Sequence, residues 1–147
     1  MWRDIELPHD GQIVSAGEQL VEIDFGSVSP DRMVAELLLL SERLIEGLTI
    51  RREGSKHRVR IRRSDTKGCA VASWREDSLE IGLSDREIGS WLSFFLKYYR
   101  DGMAEVDHID IEASSAREGI PPIDIVLKVA HAQPPLSAEE ARRRLGL

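Results

Sequence analysis

The 147 residues suit one domain of ordinary size, and 41% apolar against 31% charged residues is the balance of a chain with a real core, which excludes native disorder. A single cysteine, Cys69, permits no internal disulfide and so gives no sign of a secreted, disulfide-built framework. The longest apolar run, Leu37 to Leu40, is far too short to span a membrane, and the opening "MWRDIELPHDGQ" lacks the apolar core of a signal peptide. A cytoplasmic protein with no membrane partner is expected.

The formal net charge of −6 hides a segregation. Residues 51 to 67 carry eight Lys or Arg against Glu53 and Asp65, a local charge of +6, so the rest of the chain carries −12. A body of that sign repels polyanions and attracts basic surfaces.

In chain order, Leu20 to Phe25 alternates and reads as a strand. Ser29-Pro30-Asp31 then offers a helix start, with serine as N-cap, proline at the first helical position and an acid in the first turn. The spacing predicts a helix running to about Leu44 to Glu46 and stopping at Gly47. Met33, Val34, Leu37, Leu38, Leu40, Ser41, Leu44, Ile45 and Leu48 share one arc of it, and Leu39 alone points away. Strands follow at Leu48 to Arg52, His57 to Arg63, Cys69 to Arg75 and Leu79 to Leu83, separated by turn-like breaks.

Ser84 to Glu87 is a capping box opening a second helix that Gly102 ends. Its core face is Ile88, Trp91, Leu92, Phe95, Leu96 and Tyr99, with Phe94 and Tyr98 on one shoulder, where the tail of the chain is expected to bury them along with Leu39. Val106 to Ala113 and Ile123 to Ala130 are further strands. Ser137 to Glu140 starts a short helix through Arg142, Arg143 and Arg144 to Gly146.

The gaps between strands are too short for crossovers, which predicts hairpins. The expected fold is α+β: a mainly antiparallel sheet of six or seven strands with two amphipathic helices on one face and a short C-terminal helix. "LVEIDFGS" and "SLEIGLS", each followed by a helix, a glycine and two strands, also outline a tandem β-α-β-β repeat. If the repeat is real, its two helices pack side by side.

Motifs for chemistry are sparse. No glycine-rich phosphate loop, zinc spacing or nucleophile elbow occurs, so neither cofactor nor metal is expected. Cys69 lies in a strand pattern and reads as a small buried hydrophobe. In "VDHIDIEA" alternation sends His108, Asp110 and Glu112 to one face and Asp107, Ile109, Ile111 and Ala113 to the other. The first group could in principle share a metal or do acid–base work, with Asp124 or Lys128 beside it if the last two strands form a hairpin.

"KHRVRIRRSDTK" places Arg58, Arg60 and Arg62 as a comb over Val59 and Ile61. Phosphates favour arginine forks, but no aromatic residue that could stack a base occurs from Gly26 to Ser73, and the acidic body opposes a polyanion. The expectation is that these arginines pair with acids such as Glu80, Asp110 or Glu112 in their own sheet, or with a partner protein.

The favoured reading is a non-enzymatic protein-binding module, of the kind an inhibitor or immunity-type partner of a basic protein would be, with Arg58, Arg60, Arg62, Asp110 and Glu112 as partner-binding residues. A small enzyme or metal site on the His108, Asp110 and Glu112 face, and nucleic-acid binding through Arg58, Arg60 and Arg62, are the alternatives. Oligomeric state is not fixed by the sequence.

Overall fold

The computed structural model describes residues 1–65, 70–101, 108–115, 119–129 and 138–147. The strands are β1 (Trp2–Glu6), β2 (Gln12–Ala16), β3 (Leu20–Asp24), β4 (Gly47–Arg51), β5 (Arg58–Arg63), β6 (Ala70–Arg75), β7 (Ser78–Leu83), β8 (His108–Ser115) and β9 (Ile123–Lys128). The helices are α1 (Pro30–Ser41), α2 (Asp85–Asp101) and α3 (Ala138–Arg144). Cys69, Gly102, Val106, Asp107, Ala130 and Ser137 lie outside the described residues.

The fold is α+β, but the sheet differs from the expectation in size and in kind. Nine strands run in the order β1-β4-β5-β7-β6-β8-β9-β3-β2. Three of the expected hairpins are present and antiparallel, β4 with β5, β6 with β7 and β8 with β9, and β2 with β3 adds a fourth; the short gap between β5 and β6 makes no hairpin, because β7 inserts between them. Between hairpins the pairings are parallel: β1 with β4, β5 with β7, β6 with β8, β9 with β3. A short gap reports only the hairpin; the parallel seams join segments distant in sequence and leave no local signal.

Two strands were missed altogether, β1 and β2. In "WRDIELP" the outward residues are Trp2, Asp4 and Glu6 and the inward ones Arg3, Ile5 and Leu7, so a charged residue on the inward side broke the apolar alternation. Arg3 is accommodated by a forked hydrogen bond. Its Nε lies 2.9 Å from Glu36 Oε2 and its Nη2 2.7 Å from Glu36 Oε1. Glu36 is only 3% exposed, and the bonded carboxylate raises the guanidinium pKa above its ordinary value.

The two halves share a lattice. β2-β3-α1-β4-β5 and β6-β7-α2-β8-β9 have the same element order. Val59 and Ile61 face Leu79 and Ile81 across one seam, as Ile125 and Leu127 face Val21 and Ile23 across the other. The repeating architecture is thus β-β-α-β-β, one strand longer than the expected unit, and α1 and α2 do pack against each other.

These side chains form one core with Phe25, Met33, Leu37, Leu40, Ile88, Trp91 and Phe95, and the Phe25 and Phe95 rings meet edge to face at 5.0 Å. Phe94 is buried and Leu39 packs against the core, as expected. Leu38 and Leu96, both assigned to core faces, are instead exposed at 47% and 46%. The side chains of Tyr98 and Tyr99 lie outside the described residues.

Arg63, inward-facing at the end of β5, ties the helices together. Its Nη1 donates to the Ser41 carbonyl at 2.9 Å, and its Nη2 reaches Asp85 Oδ1 at 2.5 Å. A cation therefore meets the C-terminus of α1 while an acid sits at the N-terminus of α2, each end matching the helix dipole.

α1 stops at Ser41, short of the expected Leu44 to Glu46. Leu44 N–H donates to the Leu39 carbonyl and Arg43 N–H to the Leu40 carbonyl, a Schellman ending that brings Gly47 into β4 rather than into a cap. The left-handed position of this motif, where glycine is favoured, holds Arg43 at φ 61°. An L side chain there costs about 1–2 kcal/mol. Arg43→Gly is therefore expected to stabilise the fold by about 1 kcal/mol, read as a higher denaturation midpoint with an unchanged slope.

Candidate functional site

Alternation along each strand buries one side of the sheet and leaves the other in solvent, so the charged outward residues form the surface on which any site must be built. Outward on β5 stand Arg58, Arg60 and Arg62; on β7, Ser78, Glu80 and Gly82; on β6, Val71, Ser73 and Arg75; on β8, His108, Asp110, Glu112 and Ser114; on β9, Asp124, Val126 and Lys128.

The three arginines are not equivalent. Arg60 Nη1 lies 3.5 Å from Glu80 Oε1, its cross-strand neighbour, and its guanidinium carbon sits 4.0 Å from the centroid of the Trp2 ring. Trp2 in turn lies over Gly47, where even a Cβ would come within 2.5 Å of the ring and 2.6 Å of the Ile61 carbonyl oxygen. Gly47, Trp2, Arg60 and Glu80 thus form one stack across β4, β1, β5 and β7. Arg58 and Arg62 are exposed and hold no ion pair among the described residues. The expected pairing with Glu80 is therefore present for Arg60.

Asp110 and Glu112 do not join the arginines. Three strand steps, about 14 Å, separate β5 from β8. The structure does bring Asp124 and Lys128 beside them: Glu112 faces Asp124 and His108 faces Lys128 across the β8·β9 hairpin. Asp110, Glu112 and Asp124 are exposed, and no ion pair engages them among the described residues. Lys128 is taken up by Glu22, 3.8 Å away on β3. Val126 lies within this group, and Leu20 and Val14, 42% and 44% exposed on β3 and β2, extend it with apolar surface.

As a metal centre the strand face does not converge. Residues two apart on a strand are about 7 Å apart, and among the described residues no three of His, Cys, Asp and Glu come together to hold an ion. A polar groove of about 390 Å³ runs over Gly82 between Arg62, Val71, Ser73 and Glu80, but Glu80 is already held by Arg60 there. No described helix is long and apolar enough to cross a membrane.

Sequence reasoning missed Trp2. The absence of aromatics from Gly26 to Ser73 is true along the chain and false in space, because β1 pairs with β4 and carries its indole over to β5. One face of that ring holds Arg60 and the ring packs on Gly47, so it gives no open platform for a base. The only available signal was the outward Trp2, Asp4, Glu6 alternation.

Neither family models nor curated protein sequences match the chain.

Glu112 opposite Asp124 is an unfavourable cross-strand pair. Glu112→Gln is expected to raise stability by under about 1 kcal/mol at low ionic strength, with the gain shrinking as salt is added. Urea unfolding at two salt concentrations measures it.

Proposed function

We propose that the chain is a non-enzymatic protein-binding module that receives a basic partner on the outer face of β8, β9 and β3. The observation that carries this reading is the opposed, exposed pair Glu112 and Asp124, with Asp110 beside it and no base answering any of them among the described residues. Like charges placed directly across a hairpin cost folding energy, and a partner's Lys or Arg would turn that cost into attraction.

Leu20, Val14 and Val126 supply the apolar contact that a binding surface needs inside a charged rim. The acidic balance of the whole chain outside residues 51–67 would steer a basic protein toward it. An inhibitor or immunity-type role fits this chemistry. The arginine strand is the weaker docking surface of the two, because its middle member is held by Glu80 and Trp2.

The test is capture from native cell extract at about 50 mM salt with wild type, Asp110→Lys/Glu112→Lys and Arg58→Glu/Arg62→Glu proteins side by side. The acidic-face variant is expected to lose a basic protein, at least about tenfold, that both other proteins retain, while its circular dichroism is unchanged. An identical captured set from all three would contradict the reading.

A further inference from the structure

The repeat places opposite charges on one and the same backbone surface. In the first half, Leu48 and Ile50 of β4 face Ile61 and Val59 of β5; in the second, Ile109 and Ile111 of β8 face Leu127 and Ile125 of β9. Arg51 and Arg58 follow Ile50 and Val59 at the end of the first ladder. Glu112 and Asp124 stand at the corresponding end of the second. The two hairpins are thus matched in register, pleat and inward side chains and opposite in charge at this end, whereas at the other end Lys128 stands where Arg62 does.

Local pairing cancels only part of the inversion. On the basic hairpin Arg51 is shared between Asp4 and Glu6 of β1, at 3.6 and 3.3 Å, and Arg60 belongs to Glu80. Arg58 and Arg62 remain exposed and without an ion pair among the described residues. They stand about 14 Å apart along β5. On the acidic hairpin Asp110, Glu112 and Asp124 are in the same condition. Within one molecule the two sets cannot meet, because β7 and β6 lie between them.

We propose that the chain associates with a second copy of itself, head to tail, the β4·β5 face of one molecule lying on the β8·β9 face of the next. This rests on the reading that the acidic face is a docking surface and names one occupant of it. Arg58 set against Glu112 and Asp124 relieves the repulsion between those acids. The two surfaces are different patches, so the contact is heterologous and growth does not stop at a dimer unless a ring closes. Few exposed ion pairs are involved, which makes the association weak and strongly dependent on salt.

Sedimentation equilibrium on the purified chain tests this. At about 20 mM salt the weight-average mass is expected to rise with concentration above the 16.6 kDa of one chain, and to return to it at about 0.5 M. Arg58→Glu/Arg62→Glu presents two acidic faces and Asp110→Lys/Glu112→Lys two basic ones, so each alone is expected to stay at the mass of one chain. An equimolar mixture of the two variants is expected to associate again. Wild type that remains at 16.6 kDa at low salt, or a mixture that remains there, overturns the proposal. Because only pure protein is used, this failure is distinct from failure to capture a basic partner from extract.

Discussion

The constraint on which the rest of the structure depends is that the sheet must meet itself. Laid flat, nine strands at about 4.8 Å spacing would span about 38 Å. Yet the two outermost strands, β1 and β2, are consecutive in the chain and joined only by Leu7 to Gly11, a link that reaches about 20 Å at full stretch. It is far from stretched. Leu7 N–H donates to the Arg51 carbonyl of β4, and a Cβ on Gly11 would stand 3.2 Å from Leu7 Cβ and 2.9 Å from the Asp24 carbonyl oxygen of β3. β1 and β2 therefore act as one strand, interrupted by Pro8 to Asp10, that bridges β4 to β3. Asp10 fastens the interruption by accepting from the Ser27 N–H and hydroxyl, and the backbone bond above all holds its carboxyl below the ordinary range.

From this curl follows the division of labour between the two sides. The inward side is apolar and shared with α1 and α2, with Glu36 admitted because Arg3 answers it and Arg63 because Ser41 and Asp85 do. Everything else that is charged along the strands is displaced to the outward side, in two unlike regions. Around β5 most charges find partners. On β8 and β9 Asp110, Glu112 and Asp124 have no ion pair among the described residues, and Glu112 faces Asp124 at a cost to folding. Stability given up at a particular surface is what a binding function asks of a fold, and it is what supports the proposal of a docking surface there.

Much of the architecture was legible because hairpins and amphipathic helices are local. Each of the seven predicted strands is present to within two residues among the described positions, as are the starts of α1 and α2. What was not legible is long-range or depends on a single partner. The parallel seams carry no gap signature. β1 was hidden by Arg3, which looks misplaced on a core face until Glu36, 33 residues away, is set beside it. Leu38 and Leu39 exchanged roles because one apolar arc cannot say which of its margins the sheet will cover. The convex surface was half legible: alternation alone placed Arg58, Arg60, Arg62, Asp110 and Glu112 outward, but only the strand order shows that the acids and arginines are separated and that Trp2 joins Arg60.

The most direct measurement of the closure is the separation of β4 from β3, which six strand steps would hold about 29 Å apart in an open sheet. Nitroxide labels on Arg51→Cys and Asp24→Cys, in a Cys69→Ser background, report that distance by pulsed electron resonance. Joined through Leu7 and Gly11, the two sites are expected to lie under about 20 Å apart. A distribution centred at about 29 Å or beyond would mean that the sheet is open and that β1 and β2 are independent edges.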